Sequence, residues 1–487
     1  MTREKVLEVK NFKGIDRRRK IYSSPADVLW DAKNVDLTTG GGVTIRDRLV
    51  EVATLNQHSI GLYSAGGKLR TAVPAGNSIE GTAPYNIAYD PISNLTTGAT
   101  STSRYTALHS WTTWDADGSG LPLPYLVLEN DAGQFEHHYI DGEYKTKVSL
   151  PFTPGQNLVK LATKLFADSP QDGTVHCSST INGPRDWRTA DDAGFIDVVN
   201  SASGDTRLQG LTFYNSQLAV FFPDAIQFWQ VDPDPNNFMA VRTLEGPGTV
   251  FSGSVAPVIS DLYYFSFGGF RSLQAQNILG DLRQDPFGDK IEALTAPFAT
   301  AATAATDSYD VKGFWSQARS QYLCFFSDAT STTVFAYKNS PLGGVDGWTY
   351  WELDIPVDYV VELDEVLYIR SGNKVYKFEE VAEGDEVDYE WSVETPMYDG
   401  AAPRRLKQWT FADFDFEGKI DSLRYRSDDA SPSTTWQGGY NIVGPTASLG
   451  AIPVASLSHK LGLLATGNYY FSLENIVLQY AELSGAG

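Results

Sequence analysis

The run Leu208-Gln-Gly-Leu-Thr-Phe-Tyr-Asn-Ser-Gln-Leu-Ala-Val-Phe-Phe-Pro-Asp-Ala-Ile-Gln-Phe-Trp-Gln-Val231 holds three stretches rich in apolar and aromatic residues, 208–214, 217–222 and 225–231. Asn215-Ser216 and Pro223-Asp224 part them with two-residue turn chemistry, so the spacing predicts three strands in a meander. Turns this short leave no room for a crossover helix, and the strands must pair antiparallel with their neighbours.

The same grammar recurs downstream. Residues 255–267 contain a Ser260-Asp261 turn, and Gly268-Gly269 leads into 270–273. Phe314-Trp315, 321–326 and 332–337 make another set. The clearest unit is 348–352, 357–362, 366–370 and 374–378, parted by Ile355-Pro356, Leu363-Asp364-Glu365 and Ser371-Gly372-Asn373, and these runs read as four strands of one sheet. Repeated sets of four short antiparallel strands predict an all-β protein, a β-propeller of four-stranded antiparallel blades. No Trp-Asp or Kelch signature repeats, and a pair of sandwiches fits the same spacing. A 3.6-residue period is nearly absent: 299–305 is Ala-rich but short, and 158–166 reads as one helix or one strand.

With 487 residues, 42% hydrophobic and 13% aromatic, the chain can bury a large core and divides into more than one domain. Residues 1–50 read as an N-terminal arm and hairpin, 51–380 as the propeller, and 381–487, beyond the acidic run 379–386, as an additional C-terminal β-sandwich-like domain. Cys177 and Cys324 cannot build a disulfide framework and are expected as buried, reduced thiols. The charged start Met1-Thr-Arg-Glu-Lys5 is unlike a secretory leader, and no 18-residue apolar run occurs, so synthesis in a cytoplasm and no membrane segment are expected. A net charge of −22 argues against a surface that grips phosphates, and the carboxylates read either as an ordinary solvated outer coat or as a channel wall that repels a phosphate backbone.

Candidate chemical sites are few. Asp115-Ala-Asp-Gly-Ser-Gly120 matches the first half of a calcium loop, but Leu126 stands where the bidentate glutamate is needed, so a polar turn is the better reading. His137 and His138 are adjacent, and on a strand their rings diverge, which disfavours zinc. Asp232 and Asp234 are each followed by proline and read as loop residues more naturally than as an acid–base pair. With no nucleophile elbow and no phosphate-cradling loop, the expectation is a protein without catalytic residues, metal or cofactor.

Three N-terminal phrases, Phe12-Lys-Gly-Ile-Asp16, Ala32-Lys-Asn-Val-Asp36 and Gly40-Gly-Gly-Val-Thr-Ile-Arg46, resemble the opening of many bacteriophage tail proteins. Asn182-Gly-Pro-Arg-Asp-Trp187, the meander through Phe228-Trp229, and Gly268-Gly-Phe-Arg-Ser-Leu273 are similar to the tail nozzle proteins of short-tailed phages, also called tail tube B or packaged-DNA stabilisation proteins. The resemblance implies a virion structural protein, a hexamer of propeller subunits beneath an adaptor or portal ring. It would close the DNA channel after packaging, conduct double-stranded DNA at ejection without binding it specifically, and neighbour tail fibres or spikes. It also implies synthesis in the host cytoplasm and residence in the virion tail.

Within these phrases, Pro184 fixes a turn and Asp186 can accept from the backbone two residues on, so Asn182, Pro184, Asp186 and Trp187 form a rigid corner with Trp187 as core anchor. Arg17, Arg18 and Arg19 form the one concentrated basic patch. They read either as a solvated turn or as a dock for an acidic ring. A different class of function, a glycan-binding or glycan-cleaving propeller, is compatible with 11 Trp, 25 Tyr and scattered aspartates.

Overall fold

The computed structural model describes residues 4–74, 85–92, 104–114, 123–141, 144–189, 192–199, 204–246, 248–258, 261–276, 281–285, 287–303, 309–340, 344–427, 436–444 and 452–483. The Asp115–Gly120 loop and Ser260 lie outside the described residues.

The deciding meander forms as the turn chemistry requires. Gly210–Tyr214, Gln217–Phe221 and Ala225–Gln230 pair in succession, and Met239–Glu245 adds the outer strand. Asn215 and Ser216 both adopt positive φ, 47° and 61°, the geometry whose twist matches a tight hairpin. Both faces of this sheet are buried: Leu218, Val220 and Trp229 pack toward the preceding sheet, while Ala219, Phe221 and Phe228 pack toward the following one. Packing on both faces is what blades stacked around an axis require.

Five free-standing four-stranded antiparallel sheets occur among the described residues: 105–147, 158–197, 210–245, 256–285, and 359–379 completed by Arg48–Thr54. A three-stranded sheet, 60–89, and the four strands of 310–353 fill the remaining places. The innermost strands touch in circular order from Ile60–Ala65 through Tyr105–Trp114, Leu158–Leu161, Gly210–Tyr214, Ala256–Val258 and Asp310–Ser316 to Tyr359–Leu363, which returns to Ile60–Ala65. The ring is closed, and the chain is a β-propeller.

One expected grouping is corrected. The run 348–352 belongs to Val345–Leu353, which pairs with Thr332–Ser340 and finishes the preceding blade. The last blade holds Tyr359–Leu363, Val366–Ser371 and Lys374–Glu379, and Arg48–Thr54 supplies its outer strand. A ring has to be latched between distant parts of the chain, and here a strand from before the first blade is hydrogen-bonded onto the last. Two other ambiguities resolve locally. Residues 158–166 fall in two strands, Leu158–Leu161 and Lys164–Ser169, separated by a turn with Ala162 at φ 53°. Of the Ala-rich stretch, residues 299–303 end a 12-residue helix, Glu292–Thr303, and 304–305 lie outside the described residues.

The chain ends build one platform. Glu4–Lys10 pairs along its length with Phe471–Glu482, which also pairs with Lys407–Ser427 and Val43–Ile45. Lys407–Ser427 pairs with four strands, among them 471–482 along residues 407–418 and 461–466 along 422–427. It changes partner just beyond Gly418, at φ 90°, where a Cβ would stand 2.0 Å from the Tyr470 carbonyl oxygen, so only glycine fits the bend. Asp31–Lys33 joins platform and propeller, bridging in parallel to Val345–Leu353 and pairing antiparallel with Glu386–Glu394. The result is a continuous 14-stranded sheet from the 310–353 blade into the platform. A single apolar core follows it, from Phe12 and Ile15 through Phe270, Tyr322 and Trp348 to Trp391, Trp409 and Phe471.

Candidate functional site

The joint between propeller and platform gathers the N-terminal phrases singled out in the sequence. In the first, Gly14 takes φ 66° with no room for a Cβ against the Trp348 backbone, and the next amide, Ile15, donates to the Trp348 carbonyl at 2.8 Å. In the second, Asn34 sits at φ 53°, a conformation asparagine tolerates. Its amide nitrogen donates to the Glu390 carbonyl at 2.8 Å, and its side-chain oxygen accepts from the Glu352 amide at 2.8 Å. Asp36 Oδ1 accepts from Gln321 Nε2 at 3.0 Å and Trp351 Nε1 at 3.1 Å. The third phrase ends on Arg46, only 3% exposed. Its guanidinium donates to Asn34 Oδ1 at 3.1 Å, the Asp47 carbonyl at 2.8 Å and the Glu352 carbonyl at 3.3 Å, and lies 3.6 Å from the centre of the Tyr389 ring. Asp47 in turn pairs with Arg319 of the blade.

Burial pushes the Asp36 carboxyl above its ordinary range, with the Arg319 charge opposing, and burial pulls the Arg46 guanidinium below its own. The joint is therefore a buried, hydrogen-bonded polar cluster inside a continuous sheet. Such a cluster tolerates little relative motion, because displacement would strand buried donors and acceptors. Sequence reasoning marked Asn34, Asp36 and Arg46 only as parts of phrases and missed Trp351 and Tyr389, whose contacts are more than 300 residues distant in the chain.

The arginines do not form a single outward patch. Arg17 turns inward, donating to the Trp30 carbonyl at 2.9 Å and to Asp31 Oδ1 at 2.5 Å, with Tyr350 donating to the other Asp31 oxygen at 3.2 Å. Arg18 folds back on Asp16, which accepts from its Nε at 3.0 Å and its Nη2 at 2.5 Å. Arg19 is exposed. Arg17 is thus held within the chain by the half-buried carboxylate of Asp31, 14 residues on, which leaves Arg18 and Arg19 as the outward members of the run.

The Asn182–Trp187 corner lies between the third and fourth strands of the 158–197 blade. Asp186 accepts from the Arg188 amide and Nε at 3.0 Å and from Asn182 Nδ2 at 3.0 Å. Trp187, 1% exposed, donates its indole N–H to the Pro184 carbonyl at 3.0 Å. Its ring packs with Tyr125 and Tyr139 of the preceding blade and edge-on to His137 at 5.9 Å, while Arg185 lies 4.7 Å over Tyr139. The corner thus staples two blades together.

His137 and His138 point to opposite sides of their strand. His137 accepts or donates with Tyr125 Oη at 3.1 Å, and His138 Nε2 meets Tyr105 Oη at 2.9 Å and Glu136 at 3.3 Å. Asp232 accepts from the Asp234 amide at 2.9 Å, and Asp234 from the Asn236 amide at 3.0 Å, so each is used in turn geometry. Cys177 and Cys324 are buried and free, and burial pushes the Cys177 thiol up to about 11. Among the described residues no helix is long and apolar enough to cross a membrane.

No family model matches this chain, and neither does any curated protein. Among solved structures it is similar to BamB from Moraxella catarrhalis, with a TM-score of 0.37 and 11% identity over 69% of this chain and 90% of that one. It is also similar to Kluyveromyces lactis Hsv2, with a TM-score of 0.34 and 10% identity over 66% of this chain and 97% of that one. The propeller assignment rests on the strand pairing and ring closure described above.

Proposed function

We propose that this chain is a virion structural protein, the tail nozzle subunit of a short-tailed phage, acting as a six-membered ring that closes the DNA channel after packaging and conducts DNA at ejection. The observation that supports this reading is the joint. Domains in one chain usually move on a flexible linker, whereas here a blade and the platform share one hydrogen-bonded sheet and one core. That stiffness suits a subunit loaded by pressurised DNA. The N-terminal phrases that resemble bacteriophage tail proteins are the ones that build the joint. In this reading the protein does no chemistry, the acidic excess keeps the conduit from gripping phosphates, and Arg18 and Arg19 face an adaptor or portal ring above, with fibres or spikes outside.

The test is the assembly state. Native mass spectrometry of the full chain, alone and with a portal complex, and electron cryomicroscopy of particles should give a six-subunit ring at the tail end of the channel. A chain that stays monomeric in both and is absent from the tail refutes the proposal.

A further inference from the structure

The starts of the inner strands converge at one end of the propeller axis, around a cavity of about 1000 Å³. That is at the upper end of the volumes of small-molecule sites. Six of the seven sheets contribute to its wall, and the place of the seventh, 256–285, is taken by the segment before it, 250–255. Much of the charge in that wall is already engaged. Lys312 pairs with Asp310. Asp358 accepts from the Gly372 amide at 2.6 Å. Arg370 donates to the carbonyls of Gly61 and Gly372, each at 2.8 Å, and lies 5.7 Å from the Tyr359 ring centre. His109 Nε2 is 2.8 Å from Glu129. Apart from the exposed Arg104, an ionic ligand would have to compete with these pairings, at a desolvation cost. Between them the wall carries the half-buried rings of Trp111 and Phe314 and the half-buried Gln156 side chain. Flat aromatic faces beside amides and hydroxyls suit a ligand with apolar C–H faces and many hydroxyl groups.

We propose that this mouth binds a neutral oligosaccharide, with Trp111 as the stacking platform and Gln156 as a hydroxyl partner. The site lies within one subunit, so it does not depend on ring formation. A monomer that binds sugar would refute the nozzle reading alone, and a ring that binds none would refute this inference alone.

Saturation-transfer NMR on the full chain, with maltotetraose, cellotetraose and chitotetraose as neutral probes and tetragalacturonate as the anionic one, tests it. At least one neutral probe should bind with Kd below about 1 mM, and more tightly than tetragalacturonate. Trp111→Ala should weaken that binding roughly tenfold, the size of one aromatic contact, and Trp111→Phe should retain most of it. Because Trp111 also packs on Tyr63 at 6.2 Å, Gln156→Ala gives a second arm, with weaker binding at an unchanged melting temperature. Binding by none of the neutral probes, preference for tetragalacturonate, or affinity unmoved in both Trp111→Ala and Gln156→Ala overturns the proposal.

Discussion

Acid should attack this protein first at the seam between the 105–147 and 158–197 blades, through His137. The imidazole is 1% exposed, wedged against Trp187 and Tyr125, and burial holds its pKa down at about 3 against an ordinary 6.5, with the neighbouring His138 charge acting in the same direction. A group neutral in the fold and protonated in the unfolded chain costs stability as pH falls below the unfolded value, until the folded value is passed. At pH 4.5 the unfolded chain has gained the proton and the folded chain has not. The loss relative to pH 7.5 is then about 2.7 kcal/mol, two pH steps at about 1.36 kcal/mol each. His137→Phe keeps a ring against Trp187 and removes the titration. Tyr125 loses its partner, a cost of about 1 kcal/mol that does not vary across this pH range. Urea unfolding of both proteins from pH 7.5 to 4.5, with NMR titration of the His137 ring, checks the argument. The wild type should lose about 2.7 kcal/mol on the variant as pH falls, and the ring should not titrate above pH 4.5. A stability difference that stays flat with pH, or a His137 resonance that titrates near 6.5, refutes the reasoning.

Asp168 should show the opposite sign. Its side chain is fully buried and burial raises it to about 6, against hydrogen bonds from Asn157, so its contribution is present below pH 3.8 and lost as pH rises through 6. Asp168→Asn should therefore gain about 2.4 kcal/mol on the wild type between pH 4 and 7 in the same unfolding series. Arg46→Met should cost about 3 kcal/mol in thermal or urea unfolding, because it takes a buried donor from the Asp47 and Glu352 carbonyls and leaves the Asn34 oxygen with the Glu352 amide. Leu49 packs on the core of the last two blades from the closing strand, and Leu49→Glu should cost about 2 kcal/mol, with hydrogen exchange accelerating first in Lys374–Glu379. Arg17→Ser should lower the melting temperature, since it leaves Asp31 without its cation, and Arg18→Ser with Arg19→Ser should lower it as well, through the pair Arg18 makes with buried Asp16, Arg19→Ser by itself being nearly neutral. If the outward pair docks a ring, that double variant alone should weaken assembly, and more so at low salt.

What could be read from the residues was whatever a few neighbours decide among themselves. Asn215-Ser216 specifies its own hairpin because both residues accept positive φ, and the apolar runs beside it specify strands whose two faces must be covered. The corner at Asn182–Trp187 was equally legible, since Pro184 and Asp186 act on backbone within a few residues. The repetition of such units pointed to blades. None of this depends on the rest of the chain.

Tertiary structure decided everything that rests on pairing across distance. Nothing in Trp348–Glu352 says whether it ends one blade or opens the next. That follows from Arg48–Thr54 crossing more than 300 residues to occupy the outer edge of the last blade. Arg17 looks like its exposed neighbours in sequence and differs only because Asp31, drawn between blade and platform, lies within reach. Trp187 was expected in a core, but that it joins two blades depends on how the blades stack. Hydrophobic pattern and turn propensity act within a strand and its hairpin. Ring closure, the shared sheet and the buried polar joint arise only when the whole chain has paired, because their partners are chosen by shape and hydrogen-bond satisfaction in three dimensions.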